Sequence, residues 1–155
     1  MADDGIKLTE YGEKLKATLK EIDGLCAFVG FQDRSGKYEK GKNPASVAQV
    51  AMFNEYGTEN MPARPFMRNT LEKHSDELKD FSTNVVLKGV MNGDDAKTAM
   101  NKMGSYTKGL MQREIRDGEY APNAPSTIRK KKSSHPLIDT GRMRQSVVYE
   151  VRKEE

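Results

Sequence analysis

Cysteine and histidine are scarce in this 155-residue chain and tryptophan is absent: it has one cysteine, Cys26, and two histidines, His74 and His135. A single thiol excludes an intrachain disulfide and suits a reducing compartment. Two histidines far apart in sequence and one cysteine suggest no zinc site. No run approaches the roughly 18 apolar residues of a membrane span, and the acidic start Met1-Ala2-Asp3-Asp4 has no secretory or transit pattern. There is no internal repeat. Hydrophobic residues are 35% of the chain, charged residues 32%, and mean hydropathy is −0.80. That hydrophobic content is below the globular norm and predicts a small core under a very polar surface. Net charge is only +3, a weaker excess than dedicated nucleic-acid binders carry. The length predicts one domain, residues 1–155, with loose ends at 1–6 and 153–155.

The most constrained stretch is Asn54-Glu55-Tyr56-Gly57-Thr58-Glu59-Asn60-Met61-Pro62-Ala63-Arg64-Pro65-Phe66-Met67-Arg68. It reads as the end of one helix, a stiff extended link and the start of a longer helix. Gly57 stands where a helix C-terminus favours positive φ. Pro62 and Pro65 fix φ at two places and push the residues before them toward extended backbone. Pro65 suits the first turn of the next helix. Arg64 is thereby held between two prolines, its guanidinium directed away from the corner.

Around this corner the periodicities predict an α+β chain, with a small antiparallel sheet packed against long amphipathic helices and with extended loops. Leu8, Tyr11, Leu15, Leu19 and Ile22 form the stripe of a helix over 7–22. Leu25 to Phe31 is a strand, apolar on both faces and therefore expected to be covered. Asp33-Arg34-Ser35-Gly36 fits a tight turn, and 37–42 is the return of a short hairpin or an exposed, projecting loop. Pro44 opens a helix to Tyr56, with Val47, Val50, Ala51 and Asn54 inward. After Pro65, Met67, Leu71, His74, Leu78, Phe81 and Val85 recur in steps of four and three. They predict one helix to about Met91, roughly 40 Å long. Asn92-Gly93 breaks it, and Asp94 or Asp95 caps a second helix carrying Ala96, Ala99, Met103, Tyr106, Leu110 and Ile115. The two should form an antiparallel hairpin. Residues 119–139 read as irregular, punctuated by Pro122, Pro125 and Pro136. Asp139-Thr140-Gly141 offers a cap for a short helical turn. Ser146 to Arg152 is a strand whose natural partner is Leu25–Phe31.

Candidate chemistry is thin. His74 lies on an apolar seam and reads as a packed histidine; His135, before Pro136, reads as solvent-exposed. Cys26 sits mid-strand with no nearby base and reads as an inert buried thiol. Gly30…Gly36-Lys37 has one residue too many for a phosphate loop and lacks the Ser or Thr after Lys. Asp94-Asp95 is explained by capping. Arg129-Lys130-Lys131-Lys132, with Arg142 and Arg144 nearby, is the main electrostatic feature. It is a solvated loop or a surface that meets phosphates independently of sequence, and it lacks the interleaved aromatics of a stacking platform. No enzyme activity and no cofactor are expected.

Three blocks together resemble a known family. They are Ala48 to Thr58, with its Asn-Glu-Tyr-Gly-Thr ending; Pro62-Ala63-Arg64-Pro65-Phe66-Met67; and Ser126 to Lys131 leading to Pro136-Leu137-Ile138-Asp139-Thr140-Gly141-Arg142-Met143 and Ser146. With the Val29-Gly30-Phe31 strand they are spread in the expected order over residues 29–146. In these blocks the chain resembles the tail-completion and neck proteins of tailed bacteriophages. The resemblance implies a non-enzymatic virion protein, assembled in the host cytoplasm into a homo-oligomeric ring, commonly a hexamer. The ring would sit at the head–tail junction, meet other neck, connector and tail-tube proteins, and let double-stranded DNA pass. A tail terminator or head-closure ring is the alternative within that class, and a basic nucleic-acid-binding module is the alternative outside it.

A small core with extended segments also suits a subunit that gains order from its neighbours. On this reading subunits would touch through Asn54, Glu55 and Tyr56, through Arg64, Pro65, Phe66 and Arg68, and through Asp139 and Arg142. For Arg64 the equal alternative is an intrachain bond that pins the corner to the body. DNA would be faced by Lys37, Lys40 and Lys42 and by Arg129, Lys130, Lys131 and Lys132.

Overall fold

The computed structural model describes residues 8–32, 35–38 and 44–154. The element order is α1 (Glu10–Asp23), β1 (Leu25–Gly30), α2 (Val47–Tyr56), α3 (Phe66–Lys73), α4 (Ser75–Phe81), a π-helical segment (Ser82–Leu87), α5 (Lys88–Met91), α6 (Ala96–Asp117), α7 (Pro125–Lys131), α8 (Arg142–Gln145) and β2 (Val148–Lys153). The α+β expectation holds: a two-stranded antiparallel sheet lies on a helical layer.

β1 and β2 pair with Ala27 opposite Val151 and Val29 opposite Tyr149. Side chains alternate between faces, so Leu25, Ala27, Val29, Tyr149 and Val151 share one face, which packs on α6. The contact is close enough that a Cβ on Gly104 would overlap the Tyr149 ring. Phe28 is on the other face and 42% exposed, with the Arg152 guanidinium 4.2 Å from its ring centre. β1 is thus one of two edge strands and its outer face is open, not covered as its composition suggested. Lys153 is the last residue of β2, opposite Leu25, and not a loose end.

α6 is the spine. Its C-terminal half contributes Met111 and Ile115 to a core with Val47, Ala51, Phe66, Leu137, Met143 and Val147. Its N-terminal half gives Ala99 to a second cluster with Val86 and Val90. Asp95 caps it by accepting from the Thr98 N–H at 2.7 Å. The helical hairpin forms as expected across Asn92–Asp95, and Tyr106 stacks on Phe81 at 3.8 Å.

The single helix predicted to run from Pro65 to about Met91 is not continuous. His74 leaves helical geometry (φ −107°, ψ 18°), separating α3 from α4, and a π-helical stretch separates α4 from α5. Its stripe is divided in consequence: Leu71 is 56% exposed and Val85 41%. The break has a polar cause. Glu114 of α6 is buried and accepts from Lys73 at 2.9 Å and from the Tyr120 hydroxyl at 2.6 Å, with His74 Nε2 at 3.4 Å. Arg113 lies 3.3 Å from His74 Nδ1 and pairs with Glu77, which accepts from Tyr106. A buried carboxylate needs such partners, and His74 meets them by stepping out of the helix.

Three other boundaries shift. α1 starts at Glu10, with Thr9 accepting from Gly12, and only Leu15 and Ile22 of its stripe pack inward. α2 starts at Val47 behind a capping box in which Ser46 and Gln49 exchange bonds, a stronger stop than Pro44. Residues 125–131 are the helix α7, not irregular chain: Pro125 occupies the first turn and Lys132 closes it in the left-handed region (φ 53°). Of the expected turn and hairpin, Asp33, Arg34 and residues 39–43 lie outside the described residues.

Burial opposes ionisation of Glu114, yet the bonds from Tyr120 and Lys73 outweigh it and hold the carboxyl below its ordinary 4.5. A depressed carboxylate stabilises the fold above its unfolded pKa, and the contribution fades as pH falls through the lower folded value. Glu114→Gln should therefore unfold at lower urea than the parent at neutral pH. The two midpoints should converge as pH drops below 4.5; a gap that stays constant with pH would refute this role.

Candidate functional site

The corner is built from α2 outward. Gly57 ends α2 with φ 75° and ψ 178°, and the chain then doubles back: Thr58 and Met61 exchange backbone bonds at 2.8 and 3.2 Å. A Cβ on Gly57 would stand 2.8 Å from the Ala63 nitrogen and 2.9 Å from the Met61 carbonyl oxygen. Both the positive φ and the close approach require glycine. Arg64 returns to the helix end, its N–H donating to the Asn54 carbonyl at 2.6 Å. Pro65, at φ −76° and ψ 64°, forms an inverse γ-turn in which the Phe66 N–H donates to the Arg64 carbonyl at 2.8 Å. It precedes α3 and does not open it as a first-turn residue.

The Arg64 side chain turns inward. The residue is 3% exposed, and its guanidinium donates through Nε to the Ala121 carbonyl at 2.9 Å. It also reaches the Pro122 carbonyl at 3.2 Å and Asn54 Oδ1 at 3.3 Å. Of the two alternatives for Arg64, the intrachain one is realised. Burial lowers its pKa from the usual arginine value, and its carbonyl and amide partners keep the charge tolerable. Asn54, held by its own bond to the Val50 carbonyl, is both cap acceptor and side-chain partner.

Glu55 supplies a further tie. Pro65 provides no side-chain cap for α3; instead the Glu55 carboxylate accepts from the Met67 N–H at 2.8 Å and the Arg68 N–H at 3.2 Å. A carboxylate there also meets the positive end of the helix dipole. Phe66 is fully buried and meets the Phe31 ring edge-on at 6.0 Å.

The expected interface residues therefore divide. Asn54, Glu55, Arg64 and Phe66 are buried within the chain. Their polar groups are occupied by the corner itself. Pro65 and Arg142 are half-buried, while Tyr56, Arg68 and Asp139 are exposed. The outer face of α2 carries Tyr56 (71% exposed), which the sequence reading named, beside two apolar groups it passed over, Met52 (48%) and Phe53 (41%). They follow helical spacing one face round from Val47, Ala51 and Asn54, a signal readable beforehand as a second stripe.

The third block closes against the same helix. Leu137 and Met143 join the core with Val47 and Phe66. A cavity of about 210 Å³ opens between Asn54, Tyr38, Lys131, Asp139 and Arg142. Arg142 lies 5.6 Å from the Tyr38 ring centre, and a Cβ on Gly36 would collide with its guanidinium. Burial raises the Tyr38 pKa, against the opposing charge of Arg142.

Of the expected DNA-facing residues, Arg129, Lys130 and Lys132 are exposed on or just after α7 and Lys131 is half-buried beside the cavity. Lys37 is exposed and adjoins Tyr38 of the same cavity. Lys40 and Lys42 lie outside the described residues. Among the described residues none of these cations forms an ion pair with a carboxylate.

Cys26 is a half-buried free thiol. His135 is half-buried rather than exposed: Nε2 sits 2.5 Å from the Arg116 carbonyl, and among the described residues Nδ1 has no hydrogen-bond partner. Among the described residues no group of three His, Cys, Asp or Glu is placed to hold a metal, and no helix is long and apolar enough to cross a membrane. Comparison with protein-family models, curated proteins and solved structures found no match to this chain.

Two substitutions probe the corner. Arg64→Lys leaves one of the carbonyls of Ala121 and Pro122 without its planar donor and should cost about 1–3 kcal/mol. Gly57→Ala adds strain and a backbone overlap and should cost at least as much, about 1–3 kcal/mol. Urea unfolding monitored by circular dichroism gives both values; parent-like stability for Arg64→Lys would show that the buried bonds do not hold the corner.

Proposed function

We propose that this chain is a structural virion protein of a tailed bacteriophage, forming a homo-oligomeric ring at the head–tail junction through which double-stranded DNA passes. One observation carries the reading. The three blocks that resemble neck and tail-completion proteins are separate in sequence yet meet around α2. Asn54 bonds Arg64 of the second block and lines the cavity closed by Asp139 and Arg142 of the third.

The surface supports the reading in a modified form. Subunit contact falls to the exposed neighbours of the corner, Met52, Phe53, Tyr56 and Arg68, rather than to the buried Asn54, Glu55, Arg64 and Phe66. Exposed apolar side chains grouped on one helix face are a mark of contact surfaces, and aromatic and Met residues are enriched there. The basic groups of α7 and Lys37 are the candidates for the DNA-facing side, acting through charge alone.

Removing the gene from the phage that carries it should give filled heads and finished tails that do not join. Overlong tails would assign it to tail termination instead, and normal infectious particles would overturn a neck role. Native mass measurement of the assembled particle gives the ring order, with six copies expected.

The unpaired cations of α7 favour a second reading, a basic nucleic-acid-binding module. Replacing Arg129, Lys130, Lys131 and Lys132 by Gln should lower the salt concentration at which the protein leaves heparin, by the loss of phosphate-like contacts. Unchanged elution would remove α7 from any DNA-facing role. Strong, salt-dependent DNA binding by an isolated monomer would favour the module over the ring.

A further inference from the structure

The two-stranded sheet leaves β2 with one long side unpaired among the described residues. An unpaired strand side is a template for another strand, and a two-stranded sheet is marginal by itself. Charges on such an edge ordinarily keep it apart from others, so their order decides whether this edge repels or recruits.

Consider β2 meeting a copy of itself antiparallel, about a two-fold axis perpendicular to the sheet. Side chains alternate between faces, so facing residues must share a face and the axis must pass through one residue. Centred on Glu150, the glutamates face each other. Centred on Arg152, the arginines face each other and Glu150 faces Glu154. Centred on Tyr149, Glu150 faces Val148. Centred on Val151, both pairs of charges are complementary: Glu150 faces Arg152 of the second copy and Arg152 faces its Glu150, with Tyr149 opposite its Lys153 and Val148 opposite its Glu154 at the ends. Val151 meets Val151 at the axis. Glu150, Arg152 and Lys153 are exposed and Tyr149 and Val151 half-buried, so none of these groups must leave a core to do this.

We infer that β2 is a self-docking edge whose partner is a second copy of this chain, joined antiparallel about Val151 into a four-stranded sheet of order β1-β2-β2-β1. The axis keeps both helical layers on one side of that sheet and both Phe28–Arg152 pairs on the other. Either hydrogen-bonding phase of an antiparallel ladder satisfies the register, because the axis can pass through a bonded or a non-bonded pair. Such an isologous contact closes on itself and yields a dimer. It differs from the contacts between successive subunits of a ring, so it describes the free protein or the pairing of two rings.

Sedimentation velocity across a wide concentration range tests this on the full chain. The parent should show a reversible monomer–dimer equilibrium. Glu150→Arg turns two attractive cross-strand pairs into two repulsive ones and should weaken dimerisation roughly tenfold, with Arg152→Glu doing the same. The double variant Glu150→Arg/Arg152→Glu restores opposite signs in every pair and should recover the parent constant to within about threefold. Circular dichroism of each variant checks that the fold is kept. A parent that stays monomeric overturns the inference, as does a dimer indifferent to the single reversals or not rescued by the double one. None of these outcomes bears on the head–tail phenotype, so the two readings fail separately.

Discussion

A positive charge buried 3% exposed must be surrounded by acceptors or the fold cannot carry it. Arg64 meets that condition with three oxygens from two distant parts of the chain, Asn54 on one side and Ala121 and Pro122 on the other. The constraint runs both ways. The corner places Arg64, and Arg64 in turn fixes where residues 119–124 cross the molecule. From that crossing follow the position of Tyr120 against Glu114 and the start of α7. Lysine has the charge but lacks the planar fork that reaches separate carbonyls at once. Glu55 completes the joint from the other direction by capping α3 across a gap of twelve residues.

The apolar interior is small because it is divided. α6 serves one cluster at its C-terminal end and another at its N-terminal end. Where α3 and α4 cross it, the contact is polar: Lys73, His74 and Glu77 meet Arg113, Glu114 and Tyr106. A chain with 35% hydrophobic residues can hold a long helix this way, provided every buried polar group is paired.

Much of the fold was legible in the sequence. The inner face of α2, the glycine stop at Gly57, the Asp95 cap, the α6 stripe and the β1–β2 pairing all rest on local signals, and local signals survive folding. The misreading of the long helix is tertiary in origin, whereas the starts of α2 and α7 carried local signals in the Ser46–Gln49 capping box and Pro125. The seam through His74 is regular in sequence, and only the arrival of Glu114 and Arg113 shows why the helix breaks there. Pro122, Pro125 and Pro136 read as punctuation of a loop, although Pro125 is well placed to begin α7. Residues 54–68 form the stiff corner that their prolines and Gly57 announce, but the inward turn of Arg64 depends on carbonyls 57 and 58 positions away. Asn54, Glu55 and Phe66 are distinctive because they build the corner, whereas Met52, Phe53 and Tyr56 face outward from the same helix.

Gly57 has no slack around it: the backbone of Ala63 and the carbonyl of Met61 leave no room even for a methyl group. The link from α2 to α3 is therefore a welded joint and not a hinge. A push on the outer face of α2 is not absorbed by loop motion; it passes through Asn54 and Arg64 to the 121–122 backbone and through Glu55 to the head of α3.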